Sequence, residues 1–119
     1  ANCLQHLISK HHFQPADLLE HDGFFHSLSH HSDFSHPDKT VALASINQAI
    51  DDAHSFLKSA DVLLLTFGTA IAFEHKALGK LVGNCHRIPQ QEFSKRLLTV
   101  EEIVAGIADT MKQLLHVNP

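Results

Sequence analysis

Two short stretches of the chain concentrate the groups that acyl-transfer chemistry uses. The first is Gly68-Thr69-Ala70, which follows the apolar run Val62-Leu63-Leu64-Leu65-Thr66. A glycine just past a strand lets backbone approach a substrate closely, and its N–H can donate to a developing oxyanion. The second is Gly83-Asn84-Cys85-His86-Arg87-Ile88-Pro89. Here Asn84 offers an amide donor, His86 a base or an orienting imidazole, and Arg87 a guanidinium. This stretch lacks an apolar period and carries a proline, so it reads as a loop, where binding groups tend to sit. The plainer reading is that Gly68 only turns the chain, Asn84 caps a turn and His86 lies on the surface. Residue types alone leave both readings open for Gly68 and favour the plainer one for Asn84 and His86. Cys85 between them reads as a small buried residue rather than a nucleophile.

Twelve histidines raise a second chemistry. His21, His26, His30, His31 and His36 share one segment with Asp22 and Asp33. Zinc accepts imidazole and carboxylate donors in such mixtures. The spacing, however, matches neither a His-Glu-x-x-His nor a Cys-x-x-Cys signature. The expectation is therefore no cofactor, with histidines that bond the loop or line a pocket. A histidine-rich metal-binding module on those five residues is the alternative.

These groups need elements to position them. Residues 1–10 read as the end of an amphipathic helix, with Leu4, Leu7 and Ile8 on one face. Residues 11–38 form a His-rich loop, ordered by Phe13, Phe24, Phe25 and Phe34, with a short helical turn from Pro15. Leu43, Ile46, Ile50, Ala53 and Leu57 make the stripe of a helix over about 39–60. Residues 62–66 read as a strand buried on both faces, the kind parallel sheets contain. A hairpin and loop cover 71–93, with Ile71–His75 and Lys80–Val82 as its arms. Thr99-Val100-Glu101-Glu102 is a capping box that opens a helix over about 99–117. A lone strand of that kind leaves its backbone groups unpaired. The fold class expected is thus α/β, as part of a larger parallel-sheet domain, with self-association through the unpaired strand edges as a further expectation.

Length and composition narrow the functions. The chain has 119 residues, is 44% hydrophobic and carries a formal charge of -4. That is one domain's worth of chain with enough apolar material for a core. Neither charge sign is clustered, which argues against nucleic acid or an anionic membrane as partner. No apolar run is long enough for a membrane span and no secretory signal opens the chain. Two cysteines make no disulfide framework, so a reducing, cytoplasmic location is expected.

The runs Leu65-Thr66-Phe67-Gly68-Thr69-Ala70, Gly83-Asn84-Cys85-His86-Arg87-Ile88-Pro89, Glu92-Phe93 and Arg96-Leu97-Leu98-Thr99-Val100-Glu101-Glu102-Ile103 resemble the GSCFA domain family. So do Glu20-His21-Asp22-Gly23, His26-Ser27, His30-His31-Ser32 and Phe34-Ser35-His36-Pro37, all in the family's order. The family is similar to the SGNH hydrolases, serine esterases with a flavodoxin-like three-layer α/β/α sandwich. Their nucleophile stands in a Gly-Ser-Cys motif near the domain's start, and an Asp-x-x-His pair near its end. Neither occurs here. The resemblance therefore implies the central segment of such a domain, with one central strand, a small hairpin and flanking helices. It implies an ester substrate, carbohydrate- or lipid-linked, and a chain that does not turn over alone. Gly68 and Thr69 fall where SGNH enzymes keep a Gly-x-Asn-Asp block, so the usual oxyanion asparagine is missing and Asn84 is the expected substitute. His86 joins these as a catalytic candidate, with His26, His30 and Arg87 expected to contact substrate.

Overall fold

The computed structural model describes residues 2–119 and is mixed α/β, with three helices and two small antiparallel sheets. The described chain divides into two compact units, one of residues 2–12, 48–70 and 98–119, the other of residues 13–47 and 71–97.

The second unit is built from hairpins. Strand β1 (Leu19–His21) pairs with β2 (Phe24–His26) across Asp22-Gly23, both at positive φ, 52° and 77°. A two-residue loop of that kind matches the right-handed twist of the strands it joins, and Asp-Gly adopts it readily. The bridge Phe25↔His36 then lays the following segment along β2. Strand β3 (Ile71–His75) is central in the other sheet, flanked by β4 (Lys80–Val82) and β5 (Phe93–Leu97). The expected hairpin 71–82 is therefore present with the expected arms, while β5 extends the sheet inside what reads as loop and linker. Helix α2 (Lys39–Lys58) is capped by Asp38, whose Oδ1 accepts from the N–H groups of Thr40 and Val41 at 2.8 and 3.1 Å. Its first turns bury Ala42 and Ile46 in this unit. The Asn47 side chain then acts as a strand edge, accepting from Phe13 N–H and donating to Phe13 C=O at 2.8 and 3.0 Å.

The first unit gathers α1 (Asn2–Ile8), residues 48–58 of α2, and α3 (Val100–Val117). Ile50 and Leu57 are buried as the stripe predicts. The capping box of α3 is formed on both sides: Thr99 accepts from Glu102 N–H, and the Glu102 carboxylate accepts from Thr99 N–H at 2.8 Å. Asn118 ties the ends of α3 and α2 by donating from Nδ2 to the carbonyls of Leu57 and Ala60, each at 2.8 Å. On the other side, His12 at 2.7 Å and Lys10 at 3.3 Å hold the Asp51 carboxyl below its usual range, the His12 hydrogen bond being the main cause.

Two expectations differ from the structure: residues 11–38, expected as a loop, contain the β1–β2 hairpin, and residues 62–66 form no strand. Residues 62–66 were expected as a strand buried on both faces. Among the described residues they join no ladder, and Val62 and Leu64 are 74% and 87% exposed. The physical reason is the one that made a lone strand improbable: an extended segment becomes a strand only when neighbours satisfy its N–H and C=O groups. The described sheets are antiparallel, and no parallel pairing is present among the described residues.

Candidate functional site

The loop 83–89 is held in the second unit by three sets of bonds. The Leu28 carbonyl accepts from the N–H groups of both Gly83 and Asn84, at 2.7 and 3.1 Å. Asn84 Oδ1 accepts from His86 N–H at 2.9 Å. Ile88 N–H donates to Cys85 C=O at 2.9 Å, closing a four-residue turn whose centre is His86-Arg87. Both central residues have positive φ, 49° and 63°. Such a turn is normally made of Asn and Gly, because a Cβ in the left-handed region costs roughly 1–2 kcal/mol per residue. A histidine and an arginine there are strained, and what holds them is the bonding just described together with the buried Ile88 side chain.

The turn drives His86 inward and leaves Arg87 exposed. His86 is 7% exposed, and its Nε2–H donates to the Ser27 carbonyl at 2.6 Å. With that nitrogen protonated, Nδ1 of the neutral ring is a bare lone pair. It is buried and has no partner, the one such side-chain atom found among the described residues. Burial pushes the His86 pKa below the ordinary 6.5; the backbone of Ser27 and, less, of His30 opposes this, and the neighbouring His26 adds to it. The imidazole is thus kept neutral where a solvated one would begin to take a proton.

His26 lies against it, ring on ring, with centroids 4.8 Å apart and planes 28° apart. Its Nε2–H points at the His21 carbonyl at 3.3 Å, and its Nδ1 meets Ser35 Oγ at 2.6 Å. Phe24 also lies nearly parallel to His26, with centroids 6.3 Å apart and planes 26° apart. These rings, with Ser32, Ser35 and Arg87, line a cavity of about 250 Å³.

Of the residues expected to act, His26, His86 and Arg87 therefore meet at one cavity. Asn84 sets the turn and keeps Nδ2 as a donor, since its oxygen is committed to His86. His30 is elsewhere in the same unit: its Nδ1 meets Ser27 Oγ at 2.7 Å, and its ring packs edgewise on Phe13 and Phe34. Gly68 and Thr69 belong to the other unit, where an added Cβ at Gly68 would meet nothing within 4 Å. Sequence reasoning missed Phe24, Ser32 and Ser35 as lining residues, although two hydroxyls beside histidines in His31-Ser32 and Ser35-His36 are a readable cue.

The five histidines of the metal alternative are separated into local tasks. His31 Nδ1 accepts from Asp33 N–H at 3.3 Å, His36 Nδ1 accepts from Asp38 N–H at 2.9 Å, and His21 lies 3.5 Å from Asp22. No three His, Cys, Asp or Glu side chains converge as metal ligands among the described residues. Cys85 is half-buried, and burial raises its thiol pKa, which disfavours the reactive thiolate.

The turn is strained and tightly bonded, with its imidazole buried and its guanidinium exposed. Sequence comparison agrees with the motifs: the chain belongs to the GSCFA family, matched over residues 1–119. Comparison with curated proteins and with solved structures gives no match. No helix among the described residues is long and apolar enough to cross a membrane.

Proposed function

We propose that this chain supplies part of the substrate pocket of an SGNH-like serine hydrolase that cleaves esters. The observation that carries the reading is the orphaned Nδ1 of His86. A buried polar atom without a partner costs about 1–3 kcal/mol, and such groups persist where something else completes the site. In this reading the His86–His26 pair forms the pocket wall and orients the substrate. The Asn84 amide serves as an oxyanion donor.

Ser35 is the in-chain hydroxyl best placed to receive help from a base, yet it makes a poor nucleophile. Its own N–H is bonded to Ser32 C=O, and the next N–H, of His36, to Phe25 C=O. A nucleophile elbow needs that following N–H free for the oxyanion. The attacking serine is therefore assigned to a Gly-Ser-Cys motif outside these residues, with its histidine in an Asp-x-x-His. Val62–Thr66 then becomes a central strand of a parallel, flavodoxin-like sheet once neighbouring strands are present. A carbohydrate- or lipid-linked ester is the substrate and the cytoplasm the location in this reading. The test is a fluorophosphonate probe on a chain extended upstream through Gly-Ser-Cys and downstream through Asp-x-x-His. Labelling at that one serine supports the proposal, and a folded extended chain that stays unlabelled contradicts it.

A second reading, a non-catalytic domain that completes its sheet with another strand, draws on the exposure of Val62, Leu64 and Phe67, which is 68% for the last. A defined dimer in sedimentation, lost in Leu64→Lys, would favour it.

A further inference from the structure

The cavity beside His86 has a one-sided chemistry. Arg87 stands at its edge with no hydrogen bond or ion pair to any described residue. Ser32, on the same lining, is exposed and its hydroxyl is uncommitted. None of the six lining residues is acidic. The nearest acids by sequence, Asp22 and Asp33, have exposed side chains and do not line the cavity. The rings of Phe24, His26 and His86 supply the remaining wall, flat and largely apolar.

We propose that this cavity binds an oxyanion group of the substrate, a carboxylate or a phosphate, through the Arg87 guanidinium and the Ser32 hydroxyl, with the planar or apolar part next to that group packed on these rings. The proposal rests on reading the cavity as a substrate pocket and narrows the substrate to anionic esters. Three features of Arg87 carry it. A guanidinium presents a planar fork that matches the two oxygens of a carboxylate or phosphate. The left-handed backbone at Arg87 is a strained position that an unbonded surface arginine does not need, since glycine would satisfy it without cost in φ. Ser35 Oγ is engaged with His26 Nδ1 at 2.6 Å, which leaves Arg87 and Ser32 as the uncommitted donors. Where both a carboxylate and a phosphate would fit, the shared chemistry is the pair of oxygens the fork engages.

The test uses the 119-residue chain and needs no turnover, so it can fail or succeed independently of serine labelling. The chain is titrated with sodium benzoate, sodium acetate, inorganic phosphate and neutral benzamide, followed by ¹H–¹⁵N shifts including the Arg87 side-chain Nε–H. The expected result is saturable binding of at least one anion, with shifts at Ser32, His26 and Arg87, and none with benzamide. Tighter benzoate than acetate reports the ring wall, and preference between benzoate and phosphate identifies which anion the substrate carries. Arg87→Gln should weaken binding about tenfold or more, Arg87→Lys less, and Lys95→Gln not at all. Shifts that stay linear with concentration for every anion, or saturable binding that survives Arg87→Gln, would overturn the proposal.

Discussion

Replacing Arg87 with glycine should make the protein more stable while emptying its pocket of the only lining cation. The magnitude follows from the turn. Arg87 sits at φ 63°, where an L-residue costs roughly 1–2 kcal/mol relative to its preferred regions. Glycine removes that penalty but brings about 0.5–1 kcal/mol of extra backbone entropy to the unfolded chain. The side chain is exposed and bonds to no described residue, so its removal forfeits little else. The net expectation is a gain of about 0.5–1 kcal/mol, read as a higher urea midpoint at unchanged slope and a melting temperature raised by about 2–5 °C. His86→Gly is the internal contrast. It relieves the same kind of strain at φ 49° but loses a buried ring and its bond to Ser27, so it should destabilise by about 2 kcal/mol or more. If Arg87→Gly left stability unchanged or lowered it, the guanidinium would be holding the turn, and the reasoning that it is kept for a ligand would fail.

Three further outcomes are expected. Because burial depresses the His86 pKa, the folded ring refuses a proton that the unfolded one accepts below about 6.5. Stability from this group is therefore full above that value and falls as pH drops, by up to about 1.4 kcal/mol per unit. Urea melts between pH 7.5 and 5 should show a shallower loss in His86→Gln than in the parent, and equal slopes would remove the burial argument. Asn118→Ala should cost roughly 1–3 kcal/mol by removing both bonds that tie α3 to the end of α2 and leaving the Ala60 carbonyl without its donor, checked by thermal melting. Iodoacetamide at neutral pH should modify exposed Cys3 before half-buried Cys85, as peptide mapping would show.

What the sequence revealed is what local physics decides. The stripe from Leu43 to Leu57 and the Thr99 capping box signal their helices within a few residues, and both helices are present. The hairpin 71–82 is likewise closed by its own turn. Asp22-Gly23 carries the same kind of local signal for β1–β2, yet the surrounding histidines and serines make the segment read as loop. Strand β5 is harder, because Ser94, Lys95 and Arg96 look like surface residues until β3 supplies the ladder. Val62–Thr66 shows the converse: strong strand propensity without neighbours yields no strand. The site was legible as residue types and not as geometry. His26 and His86 are far apart in the chain, and the paired Leu28 carbonyl, the His86 bond to the Ser27 carbonyl and the turn at 85–88 bring them together. A His-Arg pair at the centre of that turn gives no turn signal at all, since it occupies positions that Asn and Gly normally announce.

The central claim is that the turn at 85–88 forms part of an ester-hydrolysing pocket, and hydrolysis by the extended chain tests it most directly. Rates for p-nitrophenyl acetate would be compared between that chain and its His86→Ala variant, with folding of both verified by circular dichroism. The account predicts serine-dependent turnover in the parent and a loss of about tenfold or more in kcat/KM in the variant, the scale expected for a group that positions substrate. Serine-dependent turnover that is unchanged in a folded His86→Ala variant would contradict it.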